Sequence, residues 1–320
     1  MTRRDELRQI AKVADLYYGR NLKQTVISEL LGIHQSSISR MLHKAKAEGI
    51  VRITLAHPAG FYPELERALE SRFGLARAVV VDPAESESQL LAHLGSAAAS
   101  IVAAGLREGD VVGISSWSSS LLAMVNAMEP FQTPQVTVVQ ILGGVGNPSA
   151  EVHATYLTQR LAQLVNGRQV LLTAPGLVRS SDARDVLYKE PYVRQALDLF
   201  NKVSIALVGI GAGEPSPLLA DSGNIFTAGE LKLLRRAGAV GDICMRFFDK
   251  DGAPVSTPLD DQVVGISLAQ LKRTKRVIAV AGGTRKKEAI AAALKGGLID
   301  VLVTDYDVAS AIAGRIEVAA

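Results

Sequence analysis

Two short stretches concentrate side chains suited to recognition chemistry. In QSSISRMLHKAKAEG, residues 35–49, Ile38, Met41 and Leu42 recur at helical spacing. They leave Gln35, Ser36, Ser37, Ser39, Arg40, His43 and Lys44 on the outer side. Gln suits an adenine edge, Arg suits guanine or phosphate and Ser suits either, so this face carries the donors needed to read duplex DNA. In SSWSSS, residues 115–120, five serines flank Trp117 where an apolar run passes into a helical pattern. Hydroxyls and backbone N–H groups at a helix N-terminus can surround an anion. An N-cap alone needs only one of those serines.

The elements that position the first stretch are helical. ELRQIAKVADLYY places Leu7, Ile10, Val13, Ala14 and Tyr17 near one face and ends at Gly19. LKQTVISELLG reads as a second short helix stopped by Gly32, and the quoted helix follows and ends at Gly49. Val26, Ile27, Leu30, Leu31, Ile33, Ile38, Met41 and Leu42 are expected to pack the two helices across the Gly32–His34 turn. That is a helix-turn-helix, whose second helix reads the major groove from its N-terminal residues. IVRITLA, 50–56, alternates and is β-branched; it reads as a minimal wing, with Arg52 free to meet a phosphate. HPAGFYP breaks the pattern and is the expected linker, which divides the chain into domains at 1–57 and 58–320.

From residue 78 short apolar runs alternate with longer helical segments. The runs are AVVVD (78–82), DVVGIS (110–115), QVTVVQILGG (135–144), RQVLLTA (168–174), SIALVGIGA (204–212), RVIAVAGG (276–283) and VLVTD (301–305). Strands apolar on both faces and separated by helices predict an α/β fold, with a parallel sheet covered on both sides. Ligands of such sheets lie outside the carboxyl ends of the strands, where several of these runs finish in Gly, Ser, Thr or Asp.

Composition narrows the function classes. The 320 residues are 48% hydrophobic, enough for two domains with a sizeable core. No run of eighteen apolar residues appears, and MTRRDELRQI has no apolar stretch behind its charges, so neither a membrane span nor a secretory signal is expected. The lone Cys244 excludes an internal disulfide and a cysteine-rich metal site and suits a reducing cytoplasm. The net charge of +3 is unevenly spread: residues 1–57 carry +5 and the remainder −2. A basic module on a near-neutral body is the footprint of a chain that meets a polyanion at one end.

QTVISELLGIHQSSISRMLHKAKAEGIVRI, GISSWSSSLLAM, LLTAPGLV, ALVGIGA, GAVGDICMRFFD and AGGTRKKEAIAAALKGGLIDVLVTD together resemble the SorC family of bacterial sugar-responsive transcriptional regulators, over nearly the whole chain. The resemblance implies a winged helix-turn-helix joined to a Rossmann-like effector domain similar in fold to glucosamine-6-phosphate deaminases. It further implies control of a carbohydrate or polyol operon by a sugar, polyol or sugar phosphate, and a homo-oligomer, usually a tetramer. The ligand contacts it implies are Ser115, Ser116, Trp117, Ser118, Ser119 and Ser120, the turn glycines Gly143, Gly144 and Gly146, and Asp242 and Lys286. Read by themselves, the GGVG glycines permit a tight turn. Asp242 can pair with sugar hydroxyls or cap a turn, and Lys286, between Arg285 and Lys287, can neutralise a phosphate. The chain departs from the family where Trp117 is flanked by Ser116 and Ser118 in place of a glycine and a nearby threonine.

Three rival readings stand beside this one. A sugar-phosphate isomerase or deaminase with an accessory helical module needs a positioned acid and base, for which Asp242, Glu288 and His153 are the candidates. GIGAGEP, 209–215, prompts a dinucleotide-dependent oxidoreductase, but its third glycine comes one residue early and Pro215 and Pro217 disrupt an immediate helix. A DNA-binding protein with an inert oligomerising body is the third. The expectation is a cytoplasmic regulator that is not an enzyme and uses no cofactor or metal.

Overall fold

The computed structural model describes residues 3–51, 60–131, 133, 135–215 and 217–314, with the side chains of 148–154, 217 and 218 left aside. The chain divides into two units, Met1–Pro58 and Ala59–Ala320.

The first unit is helical. Helix α1 (Arg3–Ala14) continues as a π-helical turn at Asp15–Gly19, followed by α2 (Gln24–Leu31) and α3 (Gln35–Ala47). Val13, Leu16, Ile27, Ile38 and Leu42 form its core, and Ile10, Ala14 and Ala45 a second small cluster against α3. Gly32 ends α2 in the left-handed region at φ +61°, and Ser28 donates its hydroxyl to the Ile33 carbonyl, so the α2–α3 turn is tied at both ends. Val26 and Leu30, expected between the helices, are instead 42% and 62% exposed. An eight-residue helix buries one narrow stripe, and Ile27 and Leu31 supply it. The wing beyond Val51, with Arg52, lies outside the described residues.

The second unit is an α/β layer structure. In chain order it comprises α4 (Pro63–Phe73), β1 (Arg77–Val81), α5 (Glu87–Gly105), β2 (Val111–Ile114), α6 (Ser119–Ala127), β3 (Thr137–Gln140), α7 (Pro148–Leu164), β4 (Arg168–Val170), α8 (Ser181–Leu187), α9 (Pro191–Phe200) and β5 (Ile205–Val208). There follow α10 (Pro217–Asp221), α11 (Ala228–Arg236), β6 (Gly241–Ile243), β7 (Arg246–Phe248), α12 (Leu268–Arg273), β8 (Arg276–Val280), α13 (Lys287–Lys295), β9 (Val301–Asp305) and α14 (Tyr306–Ala313). Seven strands make one parallel sheet, ordered β1-β9-β8-β5-β2-β3-β4, and each of the seven apolar runs supplies one of them.

Alternation along the strands separates two cores. Ile205 and Leu207 join Val112, Ile114 and Val303 under α5, α6 and α7; Ala206 and Val208 join Val277, Ala279 and Leu302 on the other face. The edge strand β1 has its outward amides capped: Glu66 accepts from Val80 N–H at 3.0 Å and Glu70 from Ala78 N–H at 2.9 Å. Capping of this kind blunts an edge that would otherwise recruit another strand. The run at 168–174 gives a strand of only three residues, β4 being the opposite edge with a partner on one side only.

A small antiparallel hairpin, β6–β7, has no counterpart in the sequence reading. Its turn residues Cys244 and Met245 both have positive φ, 53° and 60°. A two-residue turn of that kind prefers Asn-Gly, so Cys-Met gives no signal in the sequence. Arg246 anchors the hairpin. Its guanidinium donates to the carbonyls of Asp260 (2.7 Å), Ile266 (3.2 Å), Val263 (3.2 Å) and Gly265 (3.3 Å). Arg246→Met should leave these acceptors unpaired and cost about 3–5 kcal/mol. Urea unfolding would measure it, and a loss below 1 kcal/mol would show that water replaces the guanidinium.

Candidate functional site

The order of the large sheet reverses direction between β2 and β5. From β2 the chain proceeds outward to β3 and β4; from β5 it proceeds the other way to β8 and β9. Loops leaving the carboxyl ends of these two neighbours therefore diverge and open a crevice, the place where open α/β sheets bind ligands. A cavity of about 510 Å³ lies there. It is lined by residues that follow β2, β5 and β8, by α5, by the 212–231 segment and by the β6–β7 hairpin.

The serine-rich loop enters it from β2. Ser118 caps α6 by accepting from Leu121 N–H, and Ser115, Trp117, Ser118, Ser119 and Ser120 line the cavity. Ser116 is fully buried outside the lining: it donates to Leu142 O at 2.6 Å and accepts from Gln140 Nε2 at 2.9 Å. The Gln140 carbonyl in turn accepts from Leu172 N–H, so one buried amide joins the loops after β2, β3 and β4. Trp117 Nε1 donates to Gly143 O at 3.1 Å.

Gly143, Gly144 and Gly146 do not line the cavity. A Cβ on Gly143 would stand 2.3 Å from Pro175 O, and one on Gly146 2.4 Å from Ser222 O. At those two positions the missing side chain permits backbones to approach closely, and Gly143 acts on the cavity only through Trp117.

Asp242 comes from the hairpin. Gly211 and Asp242 exchange backbone hydrogen bonds at 2.9 and 3.2 Å, and a Cβ on Gly211 would overlap the Asp242 carboxylate. One carboxylate oxygen accepts from Met245 N–H at 3.1 Å and so holds the left-handed turn. Asp242 thus caps a turn and faces the cavity at once. Burial pushes its pKa up to about 6, against the opposing effects of the Met245 hydrogen bond and the charge of Lys286. Cys244, beside it, is pushed up to about 12 by burial.

Lys286 stands on the 3₁₀ turn Thr284–Lys286 that follows β8. Burial and then Arg285 lower its pKa, while Asp242 and Glu87 hold it up. The turn is placed by Asp305 at the end of β9, which accepts from Gly283 N–H at 2.7 Å and caps α14 through Val308 N–H at 3.1 Å. Asp305 is buried and was not singled out from the sequence; VLVTD followed by an apolar helix is its only sequence trace.

In the helical unit, Gln35, Ser36, Ser39, Arg40, His43 and Lys44 are exposed on α3 and Ser37 is half-buried. Arg40 donates to Ser37 Oγ at 3.1 Å, and Lys44 pairs with Glu6 of α1 at 2.5 Å.

Residues 57–313 match the family model described as "Putative sugar-binding domain". The sorbitol operon regulator of Klebsiella pneumoniae is 32% identical over 97% of this chain and 98% of its own length. The structure of full-length SorC from the same organism superposes with a TM-score of 0.74 at 30% identity, covering 97% of this chain and 99% of that one. The chain belongs to the SorC family of sugar-binding transcriptional regulators. A second relative, the deoxyribonucleoside regulator of Bacillus subtilis, is 31% identical over 94% of this chain and 96% of its own. This SorC-family member is a transcriptional regulator, as its named relatives are. No helix among the described residues is long and apolar enough to cross a membrane. Nor do the described residues gather three or more His, Cys, Asp or Glu side chains able to hold a metal.

The structure brings together Ser115, Trp117, Ser118, Ser119, Ser120, Asp242 and Lys286 and leaves Ser116 and the GGVG glycines behind them. It adds Glu87, the whole GIGAGEP loop and the apolar side chains of the 219–231 segment. Of the GIGAGEP glycines, Gly211 admits Asp242 and Gly209 admits Ser118 at close range, while Gly213 takes a left-handed φ of +72°, in place of a dinucleotide turn. Of the enzymatic candidates, Glu288 is exposed away from the cavity and the His153 side chain lies outside the described residues.

The raised pKa of Asp242 has a stability consequence. The folded chain holds this proton more tightly than the unfolded one, so its contribution is complete below pH 4 and is lost as pH rises through about 6. Asp242→Asn keeps the acceptor for Met245 N–H without the charge. Its stability relative to the parent should improve by about 1–2 kcal/mol between pH 4.5 and 8. Parallel stability–pH curves in urea would refute this.

Proposed function

We propose that the chain is an effector-controlled regulator of a carbohydrate or polyol operon, in which residues 1–57 bind operator DNA and residues 58–320 bind a small carbohydrate and oligomerise. The observation that carries the reading is the convergence of Ser118–Ser120, Asp242 and Lys286, from three separate segments of the chain, on one cavity at the strand-order reversal. The relatives' names, a sorbitol operon regulator and a deoxyribonucleoside regulator, support an effector of sugar, polyol or sugar-phosphate type.

On this reading α3 is the recognition helix of a winged helix-turn-helix. Gln35, Ser36, Ser39 and Arg40 face base edges from its N-terminal half, and His43, Lys44 and the wing's Arg52 meet phosphates. The Lys44–Glu6 pair is exposed and yields to a phosphate at little cost. The effector domain uses a deaminase-like Rossmann sheet for binding without turnover: one Asp242 carboxylate oxygen is held by Met245 N–H, and Glu288 lies away from the cavity. The active species is a cytoplasmic homo-oligomer, a tetramer, whose symmetry matches repeated half-sites. The effector shifts it between operator-competent and operator-poor states by binding one of them better; a hundredfold preference is about 2.7 kcal/mol.

Trp117 is the only tryptophan and lines the cavity, so intrinsic fluorescence reports occupancy directly. Sugars, polyols and their phosphates would be titrated against the full chain, and the hit carried into operator-binding assays on DNA flanking its own gene. Arg40→Ala should weaken operator binding by about 1–3 kcal/mol with the fluorescence response intact. Lys286→Ala should abolish the response and leave the operator bound. An Arg40 variant of parental affinity would remove that residue from the reading helix, and a Lys286 variant responding at the same concentration would move the effector site elsewhere.

A further inference from the structure

On the reading that this cavity is the effector site, two of its walls lead by separate elements to one tyrosine. The first wall is the turn Thr284–Lys286. Asp305 ties that turn to α14 with both carboxylate oxygens: one accepts from Gly283 N–H at 2.7 Å, the other from Val308 N–H at 3.1 Å. The joint has no slack, since Asp305 is buried and a Cβ on Gly282 would stand 2.5 Å from its carboxylate. Close-packed joints transmit displacement, so a shift of the turn carries Asp305 and the start of α14 with it. The next residue, Tyr306, packs its ring against Tyr62 with centroids 4.9 Å apart.

The second wall is the start of α5, where Glu87, Leu90, Leu91 and Leu94 line the cavity. Asp82 leads into it from the end of β1, and its carboxylate accepts from the Tyr62 hydroxyl at 2.7 Å. That hydrogen bond pushes the Tyr62 pKa up to about 12, so the hydroxyl keeps the proton it donates. β1 pairs with β9, Val81 beside Asp305, which brings Asp82 and Tyr306 to the same corner of the sheet. Tyr62 touches both. It is the N-cap of α4, in the segment by which the chain enters the second unit. Gly60 of that segment, at φ +84°, passes so close to Asp82 that a Cβ would stand 3.0 Å from its carboxylate. Asp82 is exposed and Tyr306 is 38% exposed, so these last contacts compete with water and break at low cost.

A stiff buried joint that ends in a weak exposed contact has two arrangements, joined and released. We propose that Tyr62 is a latch between the effector cavity and the segment that enters from the operator-binding unit. A ligand that sets the spacing of the 283–286 turn and α5 favours one arrangement of the latch and shifts the population toward it. Coupling of this kind is reciprocal and commonly about 5–150-fold in affinity.

The test uses the full chain and Tyr62→Phe, which keeps the ring against Tyr306 and removes the hydrogen bond to Asp82. With no ligand present, hydrogen exchange read by mass spectrometry should be at least roughly threefold faster in Tyr62→Phe at residues 283–286 and in the first turn of α14, with α9 unchanged. Inorganic phosphate, glucose, glucose 6-phosphate, ribose and ribose 5-phosphate are then titrated. Trp117 fluorescence reports occupancy, and DNA flanking the gene reports operator affinity. A probe that changes operator affinity in the parent should still change the fluorescence of Tyr62→Phe, while its effect on operator binding shrinks by at least about fivefold. Tyr192→Phe, at an exposed tyrosine of α9, is the control and keeps the parental values. Parental exchange rates in Tyr62→Phe overturn the latch whatever the probes do. An undiminished effect of a probe on operator binding overturns it too, and either result leaves the cavity standing as the effector site. A probe that changes operator affinity with no change in fluorescence moves the effector site elsewhere, and the latch falls with it.

Discussion

The parallel pairing of β2 with β5, Val112 against Ile205 through Ile114 against Leu207, is the constraint on which the site depends. These two strands are neighbours in space and far apart in sequence, and the chain leaves them in opposite directions across the sheet. A crevice at their carboxyl ends follows from connectivity, whatever side chains fill it. What fills it here is a serine loop on one strand and a glycine loop on the other. Ser118 and Asp242 come as close as they do because Gly209 and Gly211 offer no Cβ to push them back.

Buried polar groups then fix the loops. Gln140 joins three of them, Arg246 gathers four carbonyls behind the hairpin and Asp305 holds the turn that carries Lys286. Each is satisfied within the fold, which matters because a buried donor or acceptor without a partner costs more than a paired one contributes. Binding energy is therefore not spent on ordering these loops, and more of it remains to discriminate between ligands and between conformational states. Asp242 is the exception that faces both ways. It is a structural acceptor for a turn of two left-handed residues and a carboxylate that lines the cavity, so protonation, turn stability and occupancy of the cavity are linked through a single group.

The helical unit follows a different logic. Its core is small, and α2 leaves Val26 and Leu30 exposed because two short helices and a π-turn offer only one side for burial. The outward face of α3 is polar along its length, and the contacts Arg40 to Ser37 and Lys44 to Glu6 are exposed pairs of low energy. Side chains held this weakly are available to a stronger partner.

Periodicity alone made the seven strands, the three N-terminal helices and the polar face of α3 legible, because burial on both faces or on one leaves a local imprint on residue type. The serine loop was legible for the same reason: it sits where one period changes to another. The hairpin was not, since three-residue strands and a Cys-Met turn carry no local preference, and its geometry is imposed by Asp242 and Arg246 from outside the turn. Nor could composition say that Ser116 and the GGVG glycines stand behind the cavity while GIGAGEP lines it. Whether a serine binds a ligand or a buried amide, and whether a glycine frees a turn or admits a neighbour, depends on what the strand order brings beside it. Residue type and spacing thus determined the elements and the chemistry on offer; strand order, acting between residues distant in sequence, decided which of that chemistry meets in one place.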